Sequence, residues 1–389
     1  MSGDSGPDAP DAPRAGNLRV VIVGGGVAAL ESALALAHLA PKCTEVTLIA
    51  PNTEFVYRPM TVLEPFAYGQ ASRYPLAPIV RDAGAELLID ELEWIEPSKQ
   101  AIHTKGAATV EYDVLLLALG AHARARYEHA ITIDDRHMDE TLHGLIQDIE
   151  GGYVHSLAFV ASGRMAWPLP LYELALMGVG RAYDMEIELA TTIITPEEAP
   201  LAIFGSAASN AVLELLKRAN IQRINAAQVE IPSSGQVVIN PGDRRLRVDR
   251  VIALPELYGP PVRGIPLGEH GFIHVDAHGR VPDVGPIYAA GDATDFPVKH
   301  GGIAAQQADA AAQSIAALAG APVIAEPFDP VIRGMLLTDG QPLYLTARLD
   351  GDRGFCSEVT DTPTWSPPRK IAAKYLPPYL AEQDKLIDK

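Results

Sequence analysis

Three small residues near the amino terminus have the spacing of a phosphate-binding turn. Gly24, Gly26 and Ala29 fit the pattern G-x-G-x-x-G/A. In that pattern the first glycine permits a tight turn, the second lets the backbone approach a pyrophosphate, and the third position lets a helix pack closely on a strand. The helix start then offers free N–H groups to the anion. The alternative is a strand-to-helix turn that binds nothing.

The elements around this turn support dinucleotide binding. Residues 19–23 predict a buried parallel strand, and Val27–Leu39 is rich in the strong helix formers Ala and Leu. A second strand is predicted at Val46–Ala50. This β-α-β order requires a parallel sheet and supplies the context that a glycine motif alone lacks.

One expected residue of such a site is missing. The end of the second strand usually carries Asp or Glu, which binds the ribose hydroxyls. This chain has Ala50 there. Asn52 or Glu54, in the following loop, could substitute, although each could equally be a simple loop residue.

Two later segments resemble markers of one superfamily. Ile287–Ala293 contains Gly291 and Asp292, and resembles the strand-Gly-Asp motif of flavoproteins with two dinucleotide-binding domains, the pyridine nucleotide-disulfide oxidoreductase superfamily. There the aspartate meets the ribityl chain of the flavin. Leu115–Ala121, with Gly120, resembles the marker at which the chain leaves the flavin domain. The resemblance implies FAD as the cofactor.

Within that superfamily the chain resembles the sulfide:quinone oxidoreductases and type II NADH dehydrogenases. The loop that contains Arg58 and Pro59 is similar to their loop beside the flavin, and Lys299 matches a lysine near the pyrimidine edge of the ring. Gly302 opens the predicted last flavin helix. The resemblance implies that Arg58 and Lys299 tune the flavin, by stabilising negative charge on its reduced form. The alternative for Lys299 is a solvated lysine before a helix.

The redox cysteines of these relatives have no counterpart here. The chain has two cysteines, Cys43 and Cys356, and neither has a neighbouring cysteine. They predict no disulfide framework, no CxxC pair and no cysteine-rich zinc site, and we expect no metal. Sulfide oxidation of the usual kind and disulfide reduction are therefore not expected, and the reducing cytoplasm is the expected compartment.

The second nucleotide site is altered. After the predicted strand Leu157–Ala161, the turn Ser162–Pro170 retains one glycine and contains two prolines and Trp167, which would obstruct a pyrophosphate. Arg164 could meet a phosphate or be solvated, and Gly205–Ala208 could be an anion-binding nest or a helix start. Whether NAD(P) binds is left open.

The predicted fold is α/β, with an FAD-binding Rossmann-type domain, an inserted second Rossmann-like domain and a small C-terminal segment. The predicted divisions are a disordered leader at 1–16, the FAD domain at 17–126 and 259–320, the second domain at 127–258, and an interface segment at 321–389. In the second domain, strands are also predicted at Leu189–Ile194, Leu201–Phe204 and Arg250–Leu254, and helices at Leu171–Met177 and Asn210–Ala219.

Composition limits the partners. Of the 389 residues 48% are hydrophobic, and the formal net charge of −18 argues against nucleic acid. The longest apolar region, Val20–Ala40, is interrupted by three glycines, Glu31 and His38 and therefore predicts no transmembrane helix. The prolines of Pro367–Pro378 confine any tail helix to about two turns, too little for firm membrane anchoring, although weak peripheral contact is compatible. Trp365, Tyr375, Tyr379 and Leu380 suit packing on the flavin domain or on a second subunit of a homodimer.

These features predict an FAD-dependent oxidoreductase that moves electrons through flavin without a protein disulfide. The donor could be NAD(P)H and the acceptor a quinone or another small molecule. Two alternatives stay open: a flavoprotein that does not bind nicotinamide and takes electrons from another donor, and a non-catalytic flavin-binding redox sensor.

Overall fold

The computed structural model describes residues 17–163, 167–338, 340–349 and 355–387. The predicted leader at 1–16 and Arg164 lie outside these residues. The helices, in chain order, are α1 (Val27–Leu39), α2 (Leu76–Asp82), α3 (Met138–Glu150), α4 (Leu169–Asp184), α5 (Gly205–Arg218), α6 (Gly301–Leu318) and α7 (Leu376–Ile387). The strands are β1 (Leu18–Val23), β2 (Thr44–Ala50), β3 (Glu54–Val56), β4 (Arg73–Pro75), β5 (Glu86–Ile89), β6 (Leu92–Glu96), β7 (Ala101–Thr104), β8 (Thr109–Glu111), β9 (Val114–Leu117), β10 (His122–Arg124), β11 (Ile131–Thr132), β12 (Ser156–Val160), β13 (Ala190–Ile194), β14 (Gln222–Ile224), β15 (Gln228–Ser233), β16 (Gln236–Asn240), β17 (Arg244–Arg247), β18 (Arg250–Ala253), β19 (Glu256–Tyr258), β20 (Ile287–Ala289), β21 (Val331–Leu336), β22 (Leu343–Leu349) and β23 (Phe355–Thr360).

A five-stranded parallel sheet carries the glycine turn. Its strand order is β20-β9-β1-β2-β5, with Val20 opposite Val46 on one side and Val114 on the other. The apolar run of β1 is buried because strands flank it and helices cover the sheet. Helix α1 follows directly and packs along α6. The predicted β-α-β unit is confirmed.

A second five-stranded parallel sheet is inserted in sequence between the strands of the first. Its order is β11-β18-β12-β13-β14. The first sheet takes its strands from 18–117 and 287–289, whereas the second takes them from 131–253. The chain passes between the two sheets twice, through β10 on the way into the second sheet and through β19 on the way back, and these two strands pair antiparallel. The predicted α/β fold with an inserted Rossmann-like domain is confirmed, and the domain limits stay a prediction.

The predicted strand at Leu201–Phe204 is wrong. Residues Ala202–Phe204 form one turn of 3₁₀ helix, and Leu201 before them has a left-handed φ of 50°. That conformation cannot continue a strand. Leu201 and Phe204 are apolar because both are fully buried in the core beneath α5, which gives the segment the composition of a buried strand.

The tail contains more regular structure than its prolines predict. Strands β21, β22 and β23 form an antiparallel sheet, and α7 follows. The prediction that prolines limit the tail helix to about two turns is wrong, since α7 has 12 residues and begins at Leu376. Pro377 and Pro378 lie in its first turn, where proline's missing N–H needs no helical partner.

The buried carboxylate of Glu31 on α1 attaches the tail to the flavin domain. It accepts hydrogen bonds from the backbone N–H groups of Lys374, Tyr375 and Leu376 at 2.8, 2.8 and 2.6 Å. Leu380 is fully buried, and the Tyr379 hydroxyl donates to Asp82 over 2.8 Å. The predicted packing of this segment on the flavin domain is confirmed.

Within the described parts of the chain, no helix has both the length and the apolar character needed to cross a bilayer.

Candidate functional site

The first glycine of the turn is required by the fold itself. Gly24 has φ +136°, and a Cβ there would lie 2.1 Å from the carbonyl oxygen of Ala118, at the end of β9. Its N–H donates to the Ile49 carbonyl over 2.8 Å. The turn therefore lies against the ends of two neighbouring strands, and only glycine fits.

The second glycine faces open space. A Cβ on Gly26 would have no atom within 4 Å. Gly26 is the N-cap of α1, where no side chain caps the helix and no acidic residue stands in the first turn. The N–H groups there can therefore bind an anion. Ala29 is fully buried in the core beneath the sheet. These residues fit the pyrophosphate of FAD.

The end of β2 has no acidic group. Ala50 is fully buried, and a Cβ on Gly25 would lie 3.1 Å from the Ala50 methyl group. Asn52 and Glu54 follow at the same edge of the sheet, and both are exposed. Either could reach a ribose, and this role stays a prediction.

Gly291 lets two helices approach each other. It has φ +80°, and a Cβ there would lie 3.1 Å from the Ala28 methyl group on α1 and 3.3 Å from that of Ala304 on α6. Its N–H donates to Gln307 over 2.8 Å. Gly120, in contrast, has φ +71° and no atom within 4 Å of its Cβ position.

Asp292, Lys299 and Arg58 come together as a charge cluster. Burial raises the pKa of Asp292 to about 6, and the positive charges of Lys299 and Arg58 oppose this rise. Arg58 is 43% exposed and lies 3.8 Å from Asp135, whose negative charge raises the Asp292 pKa further. A loop of the second domain therefore reaches the predicted flavin site.

Lys299 is buried. Its side chain is 8% exposed, its ammonium donates to the Thr294 carbonyl, and it lies 4.1 Å from the centre of the Phe272 ring. Burial lowers its pKa to about 8, and the nearby Asp292 and Asp295 oppose this shift. The alternative of a solvated lysine is wrong. Its predicted contact with the flavin stays a prediction.

His300 caps α6. Its Nδ1 accepts from the N–H of Gly302 over 3.0 Å. The N–H of Gly302, a residue predicted to bind the cofactor, therefore already has a partner. The Trp167 ring lies 4.1 Å from the imidazole, and burial lowers the His300 pKa to about 3. The ring is therefore neutral, with its hydrogen on Nε2, an atom that is buried and has no partner among the described residues. Sequence reasoning missed this histidine, because His is not among the residue types preferred at helix N-caps.

The loop at Arg58 and Pro59 is held by the tail. Lys370 donates from Nζ to the Pro59 carbonyl over 3.0 Å and to Glu173 over 2.8 Å, and the Ile371 N–H donates to the Tyr57 hydroxyl over 2.8 Å. Burial lowers the pKa of Lys370 and raises that of Glu173. Sequence reasoning missed this contact, because more than 300 residues separate Pro59 and Lys370.

In the second domain, the position of an acidic nucleotide ligand is already engaged. Glu197 follows β13, and the Tyr172 hydroxyl donates to its Oε2 over 2.6 Å. Burial raises the pKa of Glu197, while the hydrogen bond from Tyr172 opposes the rise. Trp167 packs between His300 and Phe204, with ring centres 4.1 and 5.6 Å away.

The starts of the second domain's helices give little room for an anion. Pro168 is the N-cap of α4, and Pro170 stands in its first turn and has no N–H. Gly205, with φ 82°, begins α5, so the helix start predicted as one alternative for Gly205–Ala208 is present. Gly163, however, has no atom within 4 Å of its Cβ position, and the buried hydroxyl of Ser162 has no partner among the described residues.

Both cysteines are free. Cys43 follows the C-terminal end of α1, whose 13 residues separate it from the glycine turn by about 20 Å at the helical rise of roughly 1.5 Å per residue. Cys356 is exposed on β23. The two cysteines therefore do not form a redox-active pair beside the predicted flavin.

Known proteins share this architecture. The sulfide:quinone oxidoreductase from the hyperthermophilic bacterium Aquifex aeolicus superposes with a TM-score of 0.76 and 21% identity, over 88% of this chain and 87% of that one. The ferredoxin reductase for the CYP199A2 system from Rhodopseudomonas palustris gives a TM-score of 0.65 and 18% identity, over 88% of each chain. In sequence, 105 residues are 30% identical to the sulfide-quinone reductase of Aquifex aeolicus (strain VF5). This match covers 26% of this chain and about a quarter (24%) of the length of that relative.

The family itself is identified over most of the chain. Residues 18–314, which include both parallel sheets, match the profile of the pyridine nucleotide-disulphide oxidoreductases. That family and its structural neighbours bind FAD and often NAD(P), and its members are FAD-dependent oxidoreductases. The superfamily and cofactor class expected from the motifs are thereby confirmed, and the chain belongs to the pyridine nucleotide-disulphide oxidoreductase family.

Proposed function

We propose that this protein is an FAD-dependent oxidoreductase whose electron donor is not NAD(P)H and whose electrons do not pass through a protein disulfide. The observation that carries the proposal is the 2.6 Å hydrogen bond from Tyr172 to Glu197. In this family architecture a carboxylate after the second strand binds ribose hydroxyls. Here that carboxylate is buried and already accepts a hydrogen bond.

The chain's own residues are suited to hold FAD. The uncapped start of α1 at Gly26 would bind the pyrophosphate, Gly120 leaves space beside the chain, and Asp292 would accept from ribityl hydroxyls. Arg58 and Lys299 supply positive charge next to Asp292. When bound, FAD supplies the two-electron redox chemistry, and the protein positions and tunes it.

Two further features disfavour a nicotinamide cofactor in the usual pose. Pro170 removes one N–H from the helix start that would bind the pyrophosphate, and the Trp167 ring, just before that helix, packs against His300. A dinucleotide in the usual pose would have to compete with Tyr172 for the buried carboxylate of Glu197 and with the Trp167 ring for space beside His300.

NAD(P)H as donor remains the second candidate. It is favoured by two features at one turn, counted over the described residues alone: no atom lies within 4 Å of the Gly163 Cβ position, and the Ser162 hydroxyl has no partner. If NAD(P)H bound in an altered pose that uses these two residues, it could still serve as the electron donor, as the sequence allowed.

A stopped-flow experiment separates the two candidates. The purified FAD-loaded protein is mixed under anaerobic conditions with NADH, then with NADPH, and the flavin band in the visible region is followed. We expect no bleaching within seconds with either nucleotide and complete bleaching with dithionite. Rapid bleaching by NADH or NADPH would contradict the proposal and establish the second candidate.

The remaining assignments follow from the relatives and the chain's chemistry. A quinone is our proposed acceptor, since two of the similar proteins are named for it. Small-molecule partners and a homodimer are proposed as expected from the sequence. The cytoplasm is the proposed compartment, because both cysteines are free thiols.

A further inference from the structure

A cavity of about 260 Å³ lies between α6 and the tail. Helix α6 contributes Gln306 and Asp309, and β21 contributes Arg333. The tail contributes Trp365 and Lys374, among others. Ser366, also in the lining, is exposed, so the cavity communicates with the surface.

Its charged groups do not pair with one another. Oδ1 of Asp309 is shielded from solvent and has no hydrogen-bond partner in the described part of the chain. Burial raises the pKa of Asp309 to about 8, Glu31 raises it further, and Lys374 opposes the rise. Buried polar atoms in proteins nearly always have partners, so the unpartnered Oδ1 marks Asp309, a residue of the cavity lining, as a carboxyl group whose hydrogen bonds are incomplete among the described residues.

Arg333 is equally unpaired. Within residues 17–163, 167–338, 340–349 and 355–387, no carboxylate lies within 4.0 Å of its guanidinium and no hydrogen bond engages it. Burial and the nearby Arg348 lower its pKa, so the cation gains nothing from its surroundings. With Lys374, the cavity has two cationic groups and one carboxyl group, in a protein whose net charge is −18.

Gln306 on α6 fixes the position of β21, which forms another wall of the cavity. Its amide donates from Nε2 to the Val331 carbonyl over 2.9 Å, and its Oε1 accepts from the Val331 N–H over 2.9 Å. This pair of bonds fixes β21 against α6, and so fixes the separation of Arg333 from Asp309. Among the described residues no ion pair joins Arg333 to Asp309, so neither group is neutralised by the other before a ligand binds.

We propose that this cavity binds a small organic carboxylate that also carries an O–H or N–H donor, such as a short 2-hydroxy or 2-amino acid. The carboxylate would lie between Arg333 and Lys374, since a guanidinium binds carboxylates in a bidentate manner. The donor would bind the carboxyl group of Asp309. Trp365, whose indole N–H is already bound to the Arg369 carbonyl over 2.8 Å, offers an apolar wall for the carbon skeleton.

Thermal shift measurements on the full-length, FAD-loaded protein test this site. The probes are L-lactate and L-alanine, with propionate as a carboxylate lacking the donor and isopropylamine as a donor lacking the carboxylate. We expect L-lactate, L-alanine or both to raise Tm by roughly 2–4 °C at saturating concentration. Propionate should give less than half that shift, and isopropylamine none.

Three variants locate the binding. Arg333→Met should abolish the shift, and Asp309→Ala should reduce lactate and alanine to the level of propionate. Arg245→Met, at an exposed arginine on β17 that does not line the cavity, should behave as the parent protein. If Arg333→Met does not fold by circular dichroism, Arg333→Lys should bind about tenfold more weakly by calorimetry, since lysine lacks the bidentate geometry.

Absence of any shift with the parent protein would overturn the proposal. So would a shift that persists in both Arg333→Met and Asp309→Ala. Neither outcome depends on the identity of the electron donor, so the cavity and the proposed function fail separately.

Discussion

The ammonium of Lys370 lies 2.7 Å from a carboxylate oxygen of Glu173, and the two side chains are 5% and 0% exposed. The pair joins three parts of the protein, because Glu173 also accepts from the Leu337 N–H at 2.9 Å and Lys370 also donates to the Pro59 carbonyl at 3.0 Å. The helix α4, the tail sheet and the loop beside the predicted flavin site therefore meet at one buried ion pair.

Removal of one member of this pair should be strongly destabilising. We expect Lys370→Met to lower the free energy of unfolding by about 3–5 kcal/mol, because it leaves the Glu173 charge buried without its partner. The double variant Lys370→Met/Glu173→Leu should recover most of that loss. Urea unfolding measures both, with the exposed Lys385→Met as control. A loss under 1 kcal/mol would show that the pair is not buried as described.

The second prediction concerns the attachment of the tail by Glu31. Glu31→Gln keeps the size of the side chain but replaces a carboxylate that accepts three N–H bonds. Each buried donor left without a partner costs about 1–3 kcal/mol. We expect faster proteolysis within residues 365–387 and a lower Tm, while the exposed Glu45→Gln on β2 should change neither. Unchanged proteolysis would mean that other contacts suffice to hold α7.

The first two glycines of the turn should respond differently to substitution. Gly24→Ala places a Cβ 2.1 Å from the Ala118 carbonyl oxygen at φ +136°, so it should reduce the yield of folded protein. Gly26→Val enters open space and should leave Tm of the FAD-free protein nearly unchanged. It should nevertheless weaken FAD binding by about tenfold or more, since the new side chain occupies the pyrophosphate position.

The ratio of flavin absorbance to protein absorbance after dialysis, together with circular dichroism, measures both effects. Full retention of FAD by Gly26→Val would contradict the assignment of the phosphate site. A stable, well-folded Gly24→Ala would instead show that the turn can relax away from β9.

The sequence predicted the parts of this molecule that depend on local patterns. The run of β1, the composition of α1 and the glycine spacing each specify their structure within about 30 residues, as a β-α-β unit does. The strand predicted at Leu201–Phe204 failed because burial alone gives a 3₁₀ turn the composition of a strand. Four consecutive apolar residues show no alternation of apolar and polar side chains, so periodicity cannot distinguish a strand from a helical turn there.

The contacts that sequence reasoning missed join residues far apart in the chain. Glu31 with Leu376, Pro59 with Lys370 and Tyr172 with Glu197 depend on how elements pack, which no local pattern encodes. The engaged state of Glu197 changed the preferred electron donor. In this architecture a carboxylate after the second strand binds ribose, whereas here Tyr172 already donates to Glu197.

The final prediction concerns the pH dependence of stability at Asp309. Its pKa rises from the ordinary 3.8 to about 8 in the folded protein, mainly through burial. A carboxyl group whose folded pKa is raised stabilises the fold below its unfolded pKa, and this contribution is lost as pH rises through the folded value. Asp309→Asn stays neutral at every pH. Without added carboxylates, its Tm advantage over the parent protein should therefore grow from pH 5 to pH 8 and level off above the folded pKa of about 8. Differential scanning fluorimetry across this range measures it, with the exposed Asp283→Asn as control. A Tm difference that is constant with pH would show that Asp309 is ionised in the folded protein, and that a cation already occupies the place we assign to the donor of a ligand.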